Sequence, residues 1–338
     1  MYPDVLFLTY QDSLALLSVD DALRICEEVY GMHKRKSVVW ASPPSFRINA
    51  GEPYHNHWHV KGALLTEIPT SGVRLYNYFD DGEVSTVGQL DRLGYVHLAD
   101  PMTSHAIAIV DEHWSYAIRS AAAAVLPCKW LAGHLPRVLA LLGVGTMGKN
   151  ALRCLLKYYQ FDEVRCTSRR PETRVAMADA WSKAYGVRVV PCDQMEEAVI
   201  GADIIVGGAT VDLMCSAKWL KPGSTFISLS PHQLDPADWS QIDKIVIDSW
   251  DWCCLNPAFQ SMVDAGQFSR ACAYAEIHEV ITGAKPGRTH NHERILIHTA
   301  CLVSQDVAIA YHLFVKAKQK GVGLWLPAAR TNADVRLE

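Results

Sequence analysis

The period of apolar positions changes twice along the chain, and each change marks a change of architecture. After Ser18, a good N-cap, the stretch VDDALRICEEVYGMHKR puts Val19, Ala22, Leu23, Cys26, Val29 and Tyr30 on one helical stripe. From about Val38 to Ile109 the sequence is extended and aromatic-rich, broken by Pro, Gly and Asp, which predicts an antiparallel sheet. An alanine-rich helix is expected from about Trp114 to Leu131, stopping near AGHLP. From Arg137 the rhythm becomes strand–helix–strand: VLALLG, MGKNALRCLLKYY, EVRCTS, then PETRVAMADAWSKAYG with Pro171 in its first turn and Gly186 past its end. VRVV, a short helix around MEEAVIGA, and the strands DIIVGGA, STFISLS and KIVIDS continue the alternation. Two helices are expected to close the chain, FSRACAYAEIHEVITG and a long one from about Arg294 to Lys320, capped by Gly321. Short apolar strands alternating with amphipathic helices imply a parallel sheet with right-handed crossovers.

The first of those strands runs into a glycine loop, VLALLGVGTMGKNAL. In its G-x-G-x-x-G pattern, Gly143 would make the tight turn and Gly145 would let backbone approach a pyrophosphate. Gly148 would let helix pack on strand, with the N–H groups of Thr146, Met147 and Gly148 facing the phosphates. Preceding strand, following helix and repeated βα units are the context this pattern needs. The expected fold class is therefore α/β: a Rossmann NAD(P)-binding domain, 119–303, inserted in an α+β domain made of 1–118 and 304–338. At the end of the second strand, VRCTSRRPE offers Ser168, Arg169 and Arg170 and no carboxylate. Guanidinium groups suit a 2′-phosphate, so NADP is favoured and NAD is the alternative. If no phosphate docks there, the two arginines are a solvated loop.

Composition narrows the partners. The 338 residues suffice for two domains, the formal net charge is −4, and no Lys/Arg run tracks a phosphate backbone, which argues against nucleic acid and anionic membrane. No apolar stretch approaches the roughly 18 residues of a membrane span. MYPDVLFLTYQDSLALL lacks the basic start of a signal peptide. The ten cysteines are scattered, with Cys253-Cys254 the one close pair, which reads as reduced thiols in the cytoplasm. Cys128 and Cys301 lie in stretches expected to be apolar helices and read as packing residues, while Trp250 and Trp252 read as aromatic core. In YHNHWHVK, His55, His57 and His59 would share a strand face, but no fourth ligand has metal spacing and no metal is expected. His59 shares that face with Lys61 and is a candidate substrate contact.

In order and spacing, LLSVDDAL, HVKGALL, YAIRSAAAAVLPCKWLA, GADIIVGGAT, LKPGS, AEIHEVITGAKPGR and SQDVAIAY resemble the ornithine cyclodeaminase/μ-crystallin family over nearly the whole chain. The resemblance implies that the α+β domain is a substrate-binding and dimerisation domain, so that the protein is a homodimer, with hydride chemistry at a carbon that bears nitrogen next to a carboxylate. It places carboxylate-binding cations at Arg47 in PPSFRI, Lys61 in HVKGAL and Arg119 in YAIRSA, and adds Thr210 to the cofactor residues. Each cation also has a structural alternative: Lys61 as a snorkelling edge residue, Arg119 as the partner of Glu112 or Asp111. Where cyclodeaminases carry an aspartate after the GSTFISLS strand, SLSPHQLDPADW places His232, with Asp238 at the family's later glutamate and Asp235 the substitute if the alignment slips. An imidazole cannot supply a carboxylate's charge but can move a proton at an imine nitrogen. Lys61 and His232 are thus the candidate catalytic residues. The expected activity is that of an NADP-dependent imine reductase or amino-acid dehydrogenase on a small imino, amino or keto acid, including formation of a secondary amine from a keto acid and an amine. The alternatives are an ornithine- or lysine-type cyclodeaminase using catalytic NAD, and a μ-crystallin-like protein that binds NADPH and a ligand.

Overall fold

A computed structural model describes residues 4–49, 56–79, 94–208, 215–230 and 233–328. The chain divides into two compact units, 1–119 with 303–338, and 120–302. It starts with β1 (Val5–Leu8), α1 (Tyr10–Leu16) and α2 (Val19–Lys34). Both helices begin on capping boxes, and at α2 the Asp21 N–H donates to Ser18 Oγ (3.1 Å) while the Ser18 N–H donates back to the Asp21 carboxylate (3.2 Å). Then come β2 (Val38–Asn49), β3 (Asn56–Leu65), β4 (Thr70–Phe79), β5 (Gly94–Ala99), β6 (Ala106–Asp111) and α3 (His113–Val125).

The second unit continues with α4 (Cys128–Leu131), β7 (Val138–Leu142), α5 (Thr146–Leu155), β8 (Glu163–Thr167), α6 (Pro171–Tyr185), β9 (Arg188–Pro191), α7 (Met195–Val199) and β10 (Ile204–Gly207). It ends with β11 (Thr225–Ser228), β12 (Lys244–Ile247), α8 (Trp250–Cys253), α9 (Pro257–Asp264), β13 (Ala275–Glu276), α10 (Ile277–Ile281) and β14 (Ile295–His298). The chain then returns to the first unit with α11 (Val303–Lys320) and β15 (Leu324–Leu326).

In the first unit, seven strands lie in the order β15-β1-β6-β5-β4-β3-β2, antiparallel except for the parallel pair β1–β6. One face of this sheet packs under α11. The fit is close at Gly72, where a Cβ would stand 3.0 Å from Val307 Cγ2. The other face leaves Val39, Phe46, Ile48, Trp58 and Val73 exposed.

The second unit is a fully parallel sheet in the order β13-β12-β14-β11-β10-β7-β8-β9. The order reverses at β7, whose neighbours are β8 on one side and β10 on the other. That switch point, at the carboxyl ends of the strands, is where doubly wound sheets hold ligands. Trp239, Trp252, Phe259 and Phe268 fill the core beside β12 and β14, and His298 stacks flat on Phe259 at 5.4 Å.

Three helix expectations change. The helix expected over 114–131 breaks at Pro127 into α3 and α4. FSRACAYAEIHEVITG resolves into a 3-10 turn, the edge strand β13 and short α10. ILIH, expected to open the last helix, is instead the buried strand β14, and Cys301 sits outside any helix at φ 60°. β-branched residues suit a strand buried on both faces, and its apolar run has no period that separates it from a helix.

Candidate active site

The glycine loop is built of backbone constraints. Gly143 has φ 121°, outside the range of ordinary L residues. A Cβ on Gly148 would stand 1.9 Å from Gly143 O, so only glycine lets α5 meet β7 this closely. Gly208, just past β10, lies against the same loop, where a Cβ would stand 3.1 Å from Gly148 N and 3.3 Å from Gly143 O. Gly145, by contrast, faces open space, with nothing within 4 Å. Gly145 is also the N-cap of α5 and offers no side-chain cap, so the first-turn N–H groups of Thr146, Met147 and Gly148 remain for an acceptor from outside the helix. This is a cradle with room over Gly145 and donors aimed into it, and it fits the pyrophosphate of a dinucleotide. Thr210 lies outside the described residues.

At the end of β8, Thr167 is buried and Ser168 half-buried, while Arg169 and Arg170 are exposed. Among the described residues neither arginine forms an ion pair. Arg170 caps α6 with its backbone, and its N–H donates to Ser168 Oγ at 3.4 Å. Arg174, a turn later, is held by Asp193 and by Ser168 O (3.2 Å).

The first unit brings together side chains from three strands. Register pairs Ser45 with Lys61 and Lys61 with Arg74, and in the next row Arg47 with His59 and His59 with Tyr76. Directly paired residues share a sheet face, so these six form a grid of two rows on the face that packs under α11. Burial deepens across it: Arg47 is exposed on the edge strand, Ser45, His59 and Lys61 are half-buried, and Tyr76 and Arg74 are buried. His59 is hydrogen-bonded through Nε2 to Ser45 Oγ (2.6 Å) and through Nδ1 to Tyr76 Oη (2.7 Å).

Beyond the grid, Arg74 donates from both Nε and Nη2 to Glu112, the second bond at 2.8 Å. Its guanidinium lies 3.9 Å over the Tyr76 ring and 4.5 Å over Tyr116. Arg119 is fully buried and donates from Nε to Asp306 Oδ1 at 2.6 Å, and Arg74 Nε approaches the same oxygen at 3.7 Å. Of the partners weighed for Arg119 from sequence, Glu112 goes to Arg74, and Asp306 on α11 takes Arg119. Arg47 and Lys61 add two further cations to this face. Their effect registers on His59: burial first, then the charges of Lys61, Arg47, Arg74 and His57, drive its pKa down to about 3. The imidazole is therefore neutral across the physiological range in a field of positive potential.

Other candidates lie elsewhere. His232 and His55 fall outside the described residues. Asp238 is used locally, accepting from Ser216 Oγ (2.6 Å) and the Ala217 N–H (2.9 Å), and Asp235 caps the 3-10 turn that follows it. Trp252 is buried and donates to Ala300 O at 3.3 Å. Burial pushes the Cys128 thiol up to about 12, which suits packing. Among the described residues no three His, Cys, Asp or Glu are grouped to hold a metal, and no helix is long and apolar enough to cross a membrane. Sequence reading passed over Ser45, Arg74, Tyr76 and Asp306. The available signal for Arg74 was its place in SGVRLYNYF, an arginine two residues from a tyrosine on the same strand face.

Known proteins share this sequence pattern and this fold. The chain is 26% identical over 239 residues to N-((2S)-2-amino-2-carboxyethyl)-L-glutamate dehydrogenase of Staphylococcus aureus, covering 69% of this chain and 70% of the relative. Its fold matches a Δ1-pyrroline-2-carboxylate reductase of Thermococcus litoralis in complex with NADH and L-proline, with a TM-score of 0.84 at 20% identity over 95% of this chain and 99% of that one. An archaeal alanine dehydrogenase dimer with bound NAD matches with a TM-score of 0.83 at 22% identity over 96% and 99% of the two chains. The family model of the ornithine cyclodeaminase/mu-crystallin family matches residues 29–321, and the chain belongs to that family.

Proposed function

We propose that the protein is an NADP-dependent oxidoreductase acting on the C–N bond of an α-imino or α-amino acid, as an imine reductase or amino-acid dehydrogenase. The observation that carries this reading is the position of Arg47 and Lys61 on one diagonal of the grid, with hydrogen-bonded Ser45 and His59 on the other. An α-carboxylate laid across Arg47 and Lys61 meets a fork and a point charge in a field that already holds His59 neutral. Arg74 and Arg119, paired with Glu112 and Asp306, form a buried, charge-balanced network beside it, which leaves Arg47 and Lys61 as the cations for the carboxylate. The relatives support the substrate class, since those named above are dehydrogenases and a reductase of amino or cyclic imino acids.

A nicotinamide cofactor supplies hydride chemistry when bound. The chain's own part is to hold the pyrophosphate on the N–H groups of Thr146, Met147 and Gly148. We assign the 2′-phosphate of NADP to Arg169 and Arg170 with the Ser168 hydroxyl, because a carboxylate to select a ribose hydroxyl is missing from that turn. The exposed apolar face of Phe46, Ile48, Trp58 and Val73 is the surface we assign to a homodimer, the state of the archaeal alanine dehydrogenase. Ten free thiols, most of them buried, suit a reducing cytoplasm.

The test follows NADPH absorbance with purified protein, offering cyclic imino acids and, separately, keto acids mixed with ammonia, amines or amino acids. Consumption of NADPH with one imine class is expected. Ammonia release from a diamino acid at constant cofactor would establish a cyclodeaminase instead.

A further inference from the structure

We propose that Ser45, His59 and Tyr76 form a proton relay in which the Ser45 hydroxyl protonates the substrate nitrogen. The inference rests on reading the site as one that reduces an α-imino acid. Three observations meet here. The three side chains form one continuous hydrogen-bonded chain, with contacts of 2.6 Å and 2.7 Å at the two nitrogens of a single imidazole. The chain runs from a half-buried end at Ser45 to a buried end at Tyr76. Its half-buried end, the Ser45–His59 hydrogen bond, crosses the diagonal between Arg47 and Lys61. A carboxylate bound on that diagonal places the nitrogen, two bonds from the carboxyl carbon, beside the Ser45 hydroxyl.

Chemistry fixes the direction. Reduction forms a C–H bond with hydride and an N–H bond with a proton. Burial first, and then the neighbouring cations, disfavour an imidazolium at His59, so the imidazole passes a proton at one nitrogen as it receives one at the other. In the competent tautomer Tyr76 Oη–H donates to Nδ1, Nε2–H donates to Ser45 Oγ, and Ser45 Oγ–H points to the substrate. As the substrate N–H bond forms, the Ser45 O–H bond breaks, the His59 Nε2 proton passes to Ser45, and the Tyr76 proton passes to Nδ1. The imidazole stays neutral throughout. The negative charge ends on the Tyr76 oxygen, under the Arg74 guanidinium 3.9 Å from its ring, until solvent returns a proton along the same chain. Ser45 is the catalytic residue of this relay, and His59 and Tyr76 act through it.

Two readouts test it. In the full-length protein with nitrogen-15 histidine, NMR at neutral pH should find His59 neutral with its proton on Nε2, and Tyr76→Phe should shift the proton toward Nδ1. In turnover of an imino acid with NADPH, Ser45→Ala should lower kcat about 100-fold at nearly constant KM, the scale of general acid catalysis. Ser45→Thr, which keeps the hydroxyl, should restore most of it, and Tyr76→Phe should reduce the solvent deuterium effect. Wild-type turnover with an unchanged kcat in Ser45→Ala, or a His59 proton resident on Nδ1, overturns the relay alone. A wild type that leaves NADPH unoxidised with every imino acid offered overturns the underlying reading, and the relay's catalytic role falls with it.

Discussion

The two units make their candidate sites from different materials. In the second unit the site is backbone: a positive φ at Gly143, a contact at Gly148 that excludes any Cβ, and free space over Gly145. In the first unit it is side chains: a grid from β2, β3 and β4, braced by Glu112 from the end of β6 and Asp306 from α11. A backbone site tolerates change everywhere except at the few positions where a Cβ collides. A side-chain site depends on register and on distant partners, and its failures spread through charge.

The largest effect should come from the bracing of the side-chain site. Glu112→Gln leaves the buried Arg74 guanidinium without its bidentate carboxylate. Breaking a buried ion pair this way costs about 3–5 kcal/mol, which thermal unfolding would read as a marked fall in Tm. A Tm within the error of wild type would show that Asp306 alone neutralises Arg74. Next is the backbone site. Gly148→Ala drives a Cβ into Gly143 O, so overpacking of about 1–3 kcal/mol should appear in Tm, together with loss of NADPH binding by fluorescence titration. Retained binding would mean that the loop can relax.

Both sites were visible in the sequence, but unequally. Gly143, Gly145 and Gly148 lie within six residues, and a strand before and a helix after complete the signal. The grid has no such contiguity. The family resemblance marked Arg47 and Lys61, and a shared strand face marked His59, but their mutual placement depends on strand register. Asp306 is 187 residues from Arg119, and Glu112 is 38 from Arg74. Arg74 sits in an alternating strand, where a charge reads as solvent-facing until the packing of α11 shows which face is covered. The missed strand β14 has the same cause in apolar form: ILIH is too short and too uniformly buried to show a period.

Smaller effects sharpen the contrast. Replacing Arg169 and Arg170 together with Ala should weaken NADPH by about 10–100-fold, the scale of charge-assisted bonds worth about 1.5–3 kcal/mol, and leave NADH nearly unchanged. Equal loss of both cofactors would place the 2′-phosphate elsewhere. The smallest expected effect is on pH dependence. Burial and the neighbouring cations hold the His59 pKa at about 3, below its ordinary 6.5. The unfolded chain therefore binds a proton that the folded protein refuses, and stability present above pH 6.5 is lost as pH falls toward about 3. His59→Gln should flatten that part of the Tm–pH curve. A curve as steep as that of wild type would assign the acid sensitivity to other groups, the buried His298 first among them.

The most direct test of the division between the two sites is paired equilibrium titration, first with NADPH and then with an α-amino acid such as L-proline, on the wild type, Lys61→Met and Gly148→Ala. Lys61→Met is expected to keep NADPH affinity and lose the amino acid, while Gly148→Ala is expected to lose NADPH. Undiminished amino-acid binding by Lys61→Met would contradict the assignment of the carboxylate to the β2–β3 diagonal.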